Sequence, residues 1–187
     1  DACNQGRLEA QPRVAISNNS GSVSLRRAKI ERIPAYHLSQ KTHPRTEELD
    51  LAIMNTLVNH NVDIVILAGY MKMLGPVTIS RFQGRILNIH PALLPKFGGK
   101  GLYGKSVHEA VLAAGERITG ATIHLADEKY DNGPIIAQAI VPVMRSDTAT
   151  TLAERVLKQE HTLYVDTLQR IVRGEIYLPG FSRRNSS

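Results

Sequence analysis

The sequence predicts an α/β protein with a mostly parallel sheet flanked by helices. Short β-branched runs alternate along the chain with stretches whose apolar residues recur at helical spacing, the pattern of strands joined by crossover helices. One run, Val62–Leu67, is rich in β-branched residues, as expected of a parallel strand that is buried on both faces. The chain has 187 residues, of which 42% are hydrophobic and 21% charged, so it is long and apolar enough to fold as one domain.

Runs of apolar residues and their spacing define the elements of the first part of the chain. Turn-forming residues at 18–21 and at Gly69 mark the ends of two of the strands. In order, the predicted elements are the strand Val14–Ser17, the basic helix Val23–Glu31, the strand Ile33–Leu38, the helix Thr42–His60 and the strand Val62–Leu67.

The same reasoning covers the second part of the chain, where Ser106 and Asp147 are predicted helix N-caps. Gly115 and Gly174 end the helices that these residues begin. The predicted elements are the short helix Pro76–Phe82, the strand Ile86–Ile89, the helix Ser106–Ala114, the strands Ala121–Ala126 and Ile135–Val143, and the helix Asp147–Arg173. We expect a frayed tail over residues 182–187.

Composition narrows the classes of partner. The net charge of +6 suits an anionic ligand, but the cations are scattered, Trp is absent and aromatics are 5%, so no nucleic-acid partner is expected. The longest apolar stretch, Ile64–Gly69, is far shorter than the ~20 residues that span a bilayer, so no membrane partner is expected. The single cysteine, Cys3, excludes an internal disulfide and favours a reducing, cytoplasmic location.

Ligands of parallel α/β sheets bind at the carboxyl ends of the strands, which directs attention to the loops after Leu67, Ile89 and Ala126. Asn88 and His90 lie on the same side of the second of these strands, at its carboxyl end. An amide donor beside an imidazole can bind a carbonyl oxygen that gains charge while the imidazole handles a proton. Taken alone, such a pair is also compatible with a purely structural role.

An acidic loop follows the predicted strand that contains His124. If the loops converge, Asp131 can pair with His90, and a carboxylate is expected to raise the pKa of that imidazole. The alternative is a solvated acidic turn. A metal site built from His90, His124 and Asp131 is conceivable, but no clustered ligand spacing supports it, so no metal is expected.

The segment 99–106, GKGLYGKS, fits the phosphate-loop pattern GxxxxGK[ST] letter for letter. That loop needs a buried strand immediately before its first glycine. Here nine residues, two of them prolines, separate Ile89 from Gly99. The preferred interpretation is an unrelated glycine-rich loop, and a nucleotide-binding module of the phosphate-loop class stays as the alternative.

Several ungapped blocks resemble one known family. They are AGYMKMLGP at 68–76, ILNIHPALLP at 86–95, KFGGKGLYGKSVHEAV at 96–111, GATIHLADEKYDNGPIIAQ at 120–138 and VLKQEHTLY at 156–164. In this order the blocks are similar to the folate-dependent formyltransferase family, and the resemblance runs from about residue 1 to residue 178. It implies a Rossmann-like formyltransferase fold in a single domain over residues 1–187.

The resemblance also implies an activity. The matching enzymes move a formyl group from 10-formyltetrahydrofolate to the amine of glycinamide ribonucleotide in de novo purine biosynthesis, without a metal. By carry-over, Asn88 hydrogen-bonds the formyl oxygen, His90 transfers the proton, and Asp131 pairs with that histidine and organises a water. Both substrates are small molecules, and a homodimer is compatible with the resemblance. An organelle form is an alternative to the cytoplasmic one.

Binding residues follow by the same carry-over. The folate site comprises Met71, Lys72, Met73, Leu74, Asn88, Asp127, Glu128, Lys129, Tyr130 and Asp131. The glycinamide ribonucleotide site comprises Leu157, Lys158, Gln159 and Glu160, the last as an acceptor for the substrate amine.

One departure concerns the start of the chain. The family opens with a buried strand and a Gly-Ser-Asn turn at a helix N-terminus that binds the substrate phosphate. The sequence resembles the family from a point after that unit, so we expect the first βα unit to be absent and the domain to be incomplete at its N-terminus. Formyltetrahydrofolate deformylase, a hydrolase, is the related alternative; it carries a second His where this chain has Pro91.

Overall fold

Strands and helices alternate through the chain, which a computed structural model describes over residues 1–181. The predicted frayed tail at 182–187 lies outside the described residues. The elements are β1 (Ala15–Ser17), α1 (Val23–Ile30), β2 (Ala35–His37), α2 (Thr46–Asn59), β3 (Val65–Leu67), α3 (Pro76–Arg81), β4 (Ile86–His90), α4 (Lys105–Ala113), β5 (Ile118–Leu125), β6 (Ile135–Pro142) and α5 (Ala149–Val172).

The strands form two sheets. β1 pairs with β2 in parallel, and the larger sheet has the order β3-β4-β5-β6. Its first pair, β3 and β4, is parallel, whereas β5 and β6 run antiparallel to their neighbours. Most strands therefore lie in parallel pairs with helices between them, which confirms the predicted α/β class.

An inter-sheet cavity of about 920 Å³ is lined by residues of both β1 and β3, including Ile16 and Ile66. Ile66 is 46% exposed, although its neighbour Val65 is buried. The prediction that this strand is buried on both faces is therefore wrong at its middle residue, because the face of β3 that bears Ile66 borders the cavity.

The centre of the larger sheet is its most buried part. Leu87 of β4 and Ile123 of β5 are fully enclosed and pack with Ile171 of α5. A second cluster joins α4 to α5 through Val111, Leu152 and neighbouring side chains. This packing fixes β4 between β3 and β5, so that the residues at its carboxyl end occupy defined positions.

Some predicted boundaries are wrong for local reasons. The strand predicted from Val62 begins at Val65, because the parallel partner β4 begins only at Ile86, opposite Val65. The helix predicted from Thr42 begins at Thr46, because residues 39–43 form a hydrogen-bonded turn and Pro44 disfavours helical geometry in the preceding residue.

Two predicted caps are also displaced. Ser106 is not the N-cap of α4, because its hydroxyl accepts from the backbone N–H of Tyr103, and Gly104 takes the cap position instead. α5 is capped by Thr148 rather than Asp147, whose carboxylate is held by Arg155 and Thr151. Within residues 1–181, no helix combines the length and the apolar character needed to cross a membrane.

Candidate active site

The carboxyl end of β4 carries two of the predicted residues side by side. Asn88 lies between Leu67 of β3 and His124 of β5, and His90 lies opposite Thr122. Both side chains line a cavity of about 700 Å³, the large cavity, together with loop 99–105 and part of α5. The structure thus confirms that strand alternation places Asn88 and His90 on one side.

The hydrogen bonds of His90 define which ring nitrogen is free. The ring is 3% exposed, and its Nε2 lies 2.7 Å from the carbonyl oxygen of Phe97. A carbonyl only accepts, so Nε2 carries a hydrogen and donates it. Nδ1 is therefore the nitrogen that can gain or lose a proton, and it lies 3.4 Å from a carboxylate oxygen of Asp131.

Asp131 is held in place from several sides. Its Oδ2 accepts from the backbone N–H of Gly99 at 2.9 Å, and its backbone adopts a positive φ of 52°, which Asp tolerates better than most residues. Nearby, a Cβ on Gly133 would lie 1.9 Å from the carbonyl oxygen of Leu125, so only glycine fits there. The predicted convergence of the Asp131 loop with His90 is confirmed.

His124 joins Asn88 to the same cluster. Its Nδ1 donates to the carbonyl oxygen of Leu125 at 2.9 Å, so in the neutral ring Nε2 accepts from the Asn88 amide at 3.0 Å. Asp131 lies 3.5 Å from the same nitrogen. Asn88 keeps a second amide N–H for a ligand.

The sequence offered His124 only as a conceivable metal ligand. The feature that could have revealed its contact with Asn88 is its place on the strand that pairs with β4, directly opposite Asn88. Among residues 1–181, no group of three or more His, Cys, Asp or Glu side chains is arranged to hold a metal ion.

Burial decides the charge state of the site. Burial lowers the pKa of His90, and the nearby Asp131 carboxylate, which raises it, does not compensate. The expectation of a raised His90 pKa is therefore wrong, because desolvation of the imidazolium outweighs the attraction. Burial alone would raise the pKa of Asp131, but the nearby imidazoles of His124 and His90 and the hydrogen bond from the backbone N–H of Gly99 lower it.

All but one of the predicted folate residues line one or both of two spaces. Lys72, Met73 and Leu74 line a second, narrow pocket of about 60 Å³. The loop residues that line it are Asp127, Lys129, Tyr130 and Asp131. Met71 lines the large cavity instead, and Glu128 lines neither. Asn88 and Asp131 border both spaces, so the cluster of Asn88, His90 and Asp131 stands where the two meet.

Only some of the residues on α5 that were predicted to contact the nucleotide line the large cavity. Leu157 and Glu160 line the large cavity, whereas Lys158 and Gln159 do not. Glu154, one helical turn before Lys158, lines the cavity as well and was not predicted. Burial raises the pKa of Glu160.

The segment that carries Met71–Leu74 is anchored from α2. The buried carboxylate of Asp50 accepts from the backbone N–H groups of Val77 and Thr78, at 2.8 and 3.0 Å, in the first turn of α3. A Cβ on Gly75 would lie 2.2 Å from the carboxyl carbon of Asp50, so this close approach requires glycine.

The glycine-rich loop lacks the geometry of a phosphate loop. Residues 91–104 contain no strand, so Gly99 does not leave a buried strand directly. The Lys105 ammonium lies 3.4 Å from Glu109, one turn further along α4. The interpretation as an unrelated glycine-rich loop therefore agrees with the fold.

The fold and the cluster define an α/β protein with a buried imidazole and carboxylate at the carboxyl edge of its sheet, and comparisons with known proteins give the family. Residues 1–168 match the family model described as formyl transferase. The chain belongs to the formyl transferase family.

Relatives and solved structures agree with this family. The chain is 42% identical over 177 residues to a chloroplastic phosphoribosylglycinamide formyltransferase of Vigna unguiculata, covering 94% of the chain and 56% of the relative. It is 36% identical to the Haemophilus influenzae phosphoribosylglycinamide formyltransferase, covering 95% of the chain and 82% of the relative. It spans little more than half of the two plant relatives, 56% and 61%.

Two solved structures extend the comparison. A phosphoribosylglycinamide formyltransferase from Bacillus halodurans superposes with a TM-score of 0.86 at 35% identity, covering 97% of this chain and 90% of that one. A formyltetrahydrofolate deformylase from Pseudomonas syringae gives 0.81 at 25% identity, covering 92% and 55%. The α/β formyltransferase fold is thereby confirmed.

Proposed function

We propose that this protein transfers the formyl group of 10-formyltetrahydrofolate to the amine of glycinamide ribonucleotide, giving the N-formyl product and tetrahydrofolate in de novo purine biosynthesis. One observation carries the proposal: Asn88, His90 and Asp131 form a single cluster where the large cavity meets the narrow pocket. A group can pass between two bound small molecules at such a junction. The relatives named phosphoribosylglycinamide formyltransferase support the same assignment.

Asn88 supplies the electrostatic part of the reaction. When the amine attacks the formyl carbon, the carbonyl oxygen gains negative charge. The Asn88 amide keeps one N–H for this oxygen, because the other is held by His124. Since that bond fixes the orientation of the amide, the donor is in place before the charge develops.

His90 handles the proton. The reaction forms a C–N bond to the amine and breaks the C–N bond to the folate nitrogen, so one proton must leave the first nitrogen and reach the second. The lowered pKa of His90 leaves Nδ1 unprotonated at neutral pH, ready to accept that proton. Asp131, 3.4 Å away, stabilises the imidazolium until it donates the proton to the leaving nitrogen.

The two substrates bind on opposite sides of this cluster. Leu67, Leu74 and Ile79 give the narrow pocket apolar surface suited to a flat pterin ring. Its volume of about 60 Å³ is smaller than such a ring, so we expect loop 127–131 to move outward on binding. The large cavity receives the nucleotide, and the Glu160 carboxylate at its α5 wall accepts from the amine.

We further propose that residues 1–187 act as one formyltransferase domain whose partners are small molecules, without nucleic acid or membrane. A homodimer is compatible with this function. The location proposed is the cytoplasm, with an organelle as the alternative, since two plant relatives are named chloroplastic.

The test is a spectroscopic assay of tetrahydrofolate formation with both substrates and with each omitted. Transfer predicts that tetrahydrofolate appears only when glycinamide ribonucleotide is present. Formation of tetrahydrofolate and formate without the nucleotide would replace the transferase with the deformylase, and no reaction under any condition would refute the proposal.

A further inference from the structure

One buried histidine of the large cavity has no place in this mechanism. His108, on α4, is 3% exposed and lines the cavity that also contains His90. Its Nδ1 is fully buried without a hydrogen-bond partner. Nε2 also makes no hydrogen bond to any of residues 1–181 and, unlike Nδ1, it is not among the fully buried atoms.

Such an arrangement is unfavourable for the folded protein alone. A buried polar group without a partner loses its hydrogen bonds to water and gains none in return, and most buried polar groups in proteins are therefore paired. Within the described part of the chain, the only other buried side-chain atom in this state is the Thr119 hydroxyl, which lines no cavity described above. His108 differs from it because its ring also lines the large cavity, where a ligand can bond the second unpaired ring nitrogen, Nε2, while Nδ1 stays buried.

The surroundings of His108 indicate which of the two substrates it contacts. It does not border the narrow pocket, which is lined by most of the predicted folate residues. It shares the large cavity with Leu157 and Glu160, the α5 residues predicted to contact the nucleotide. Burial and the neighbouring His90 lower the pKa of His108, so the ring is neutral and offers one donor and one acceptor.

We propose that His108 is a substrate-binding residue of the large cavity, whose Nε2 hydrogen-bonds a polar group of the amine-bearing nucleotide substrate. This inference rests on the proposed function. An imidazole from α4 and the carboxylate of Glu160 on α5 line the same cavity, so that the nucleotide would contact both helices. His108 then contributes to selection of the nucleotide and not of the folate.

The experiment measures KM for each substrate together with the urea midpoint of unfolding, for wild type, His108→Leu and the matched control Thr119→Val. His108→Leu should raise KM for glycinamide ribonucleotide about tenfold, the effect of one hydrogen bond, with KM for the folate within twofold of wild type. Its midpoint should not fall, because leucine removes an unpaired polar ring. Thr119→Val should raise the midpoint and leave both KM values unchanged.

The outcomes separate the two claims. A wild type that does not turn over refutes the proposed function, whereas an active wild type with an unchanged nucleotide KM in His108→Leu refutes only the role of His108. A raised folate KM, or a lower midpoint with unchanged KM values, also refutes it. If His108→Leu does not fold, the ¹⁵N shift of His108 Nε2 in wild type decides: it should move on addition of nucleotide, and no movement contradicts the inference.

Discussion

At the scale of single residues, the proposed chemistry depends on which nitrogen of His90 is free. The carbonyl of Phe97 occupies Nε2, so the proposed proton transfer has to pass through Nδ1, which faces Asp131. His124 plays a matching part for Asn88, since its bond to Leu125 fixes the tautomer that accepts from the amide. Each of the two proposed catalytic side chains is thus oriented by a partner that has no role in the proposed reaction.

Replacing His90 tests its role in proton transfer. His90→Ala should lower kcat about 10²-fold or more, the usual contribution of a general acid–base group, with little change in folate affinity. The measurement is steady-state kinetics with both substrates. His43→Asn, at a histidine that borders neither the large cavity nor the narrow pocket, is the control and should keep wild-type kcat. Nearly full kcat in His90→Ala would remove this residue from the mechanism.

Removing the charge of Asp131 tests the electrostatics of the pair. The carboxylate raises the pKa of His90 against the larger effect of burial, so Asp131→Asn should lower that pKa further below its reference of ~6.5. An NMR titration of His90 measures this. Activity should fall as well, because the imidazolium loses its counter-ion. An unchanged titration would show that the two groups do not interact in solution.

The candidate catalytic cluster could be predicted in part from the sequence. Asn88 and His90 are two residues apart on one strand, and Asp131 belongs to a loop at the same sheet edge, so their proximity follows from strand geometry. The direction in which the pKa of His90 shifts could not be predicted, because burial is a property of the packed fold. His108 was missed because its neighbours Val107 and Val111 are core residues of α4, and a polar residue among them has no distinctive spacing.

At the scale of elements, the start of α5 positions the wall of the large cavity. Thr148 and Thr151 form a reciprocal capping box, in which each hydroxyl accepts from the backbone N–H of the other residue. Arg155 holds the adjacent Asp147 through two hydrogen bonds of 2.8 and 2.7 Å. These bonds fix the first turn of the helix that carries Glu160.

The cap makes a measurable contribution to stability. Thr148→Ala removes the hydroxyl that accepts from Thr151 and should lower the free energy of unfolding by about 1 kcal/mol in urea titrations. Thr148→Ser keeps the acceptor and is the matched control. Equal stability of the alanine and serine variants would show that the capping box does not stabilise α5.

Element types were easier to predict than their ends. The hydrophobic spacing of α2 and α5 and the β-branched run of β3 are local properties of the sequence, so the type of each element could be predicted. The structure confirms all three. Their ends depend on partners that are distant in sequence: β3 begins only where β4 pairs with it, and Thr148 caps α5 because Arg155 engages Asp147. Tertiary contacts of this kind cannot be deduced from the sequence of one segment.

At the scale of the whole molecule, the site is assembled from elements that are far apart in the chain. β4 supplies Asn88 and His90, the loop before β6 supplies Asp131, and α4 and α5 supply the walls of the large cavity. The buried imidazoles of this site are neutral, and protonating them destabilises the fold.

Stability should therefore depend on pH. The folded pKa of His90 lies below its unfolded value of ~6.5, so its contribution is complete above pH ~6.5 and is lost as pH falls through the folded pKa. Urea titrations at pH 7.5 and 5.5, values ~1 unit either side of the reference pKa, should show a smaller loss for His90→Gln than for wild type. The raised pKa of Glu160 acts in the opposite direction but is common to both proteins. An equal loss would contradict the buried neutral imidazole.

The central claim is that one carbon unit passes between two small molecules at the Asn88, His90 and Asp131 cluster. The most direct measurement is mass spectrometry of glycinamide ribonucleotide after incubation with 10-formyltetrahydrofolate labelled with ¹³C in the formyl group, for wild type and Asn88→Leu. The account predicts one labelled formyl group on the nucleotide amine with wild type and a rate about 10²-fold lower with Asn88→Leu, since the donor to the developing oxyanion is lost. Label recovered as formate, or an undiminished rate in Asn88→Leu, would contradict it.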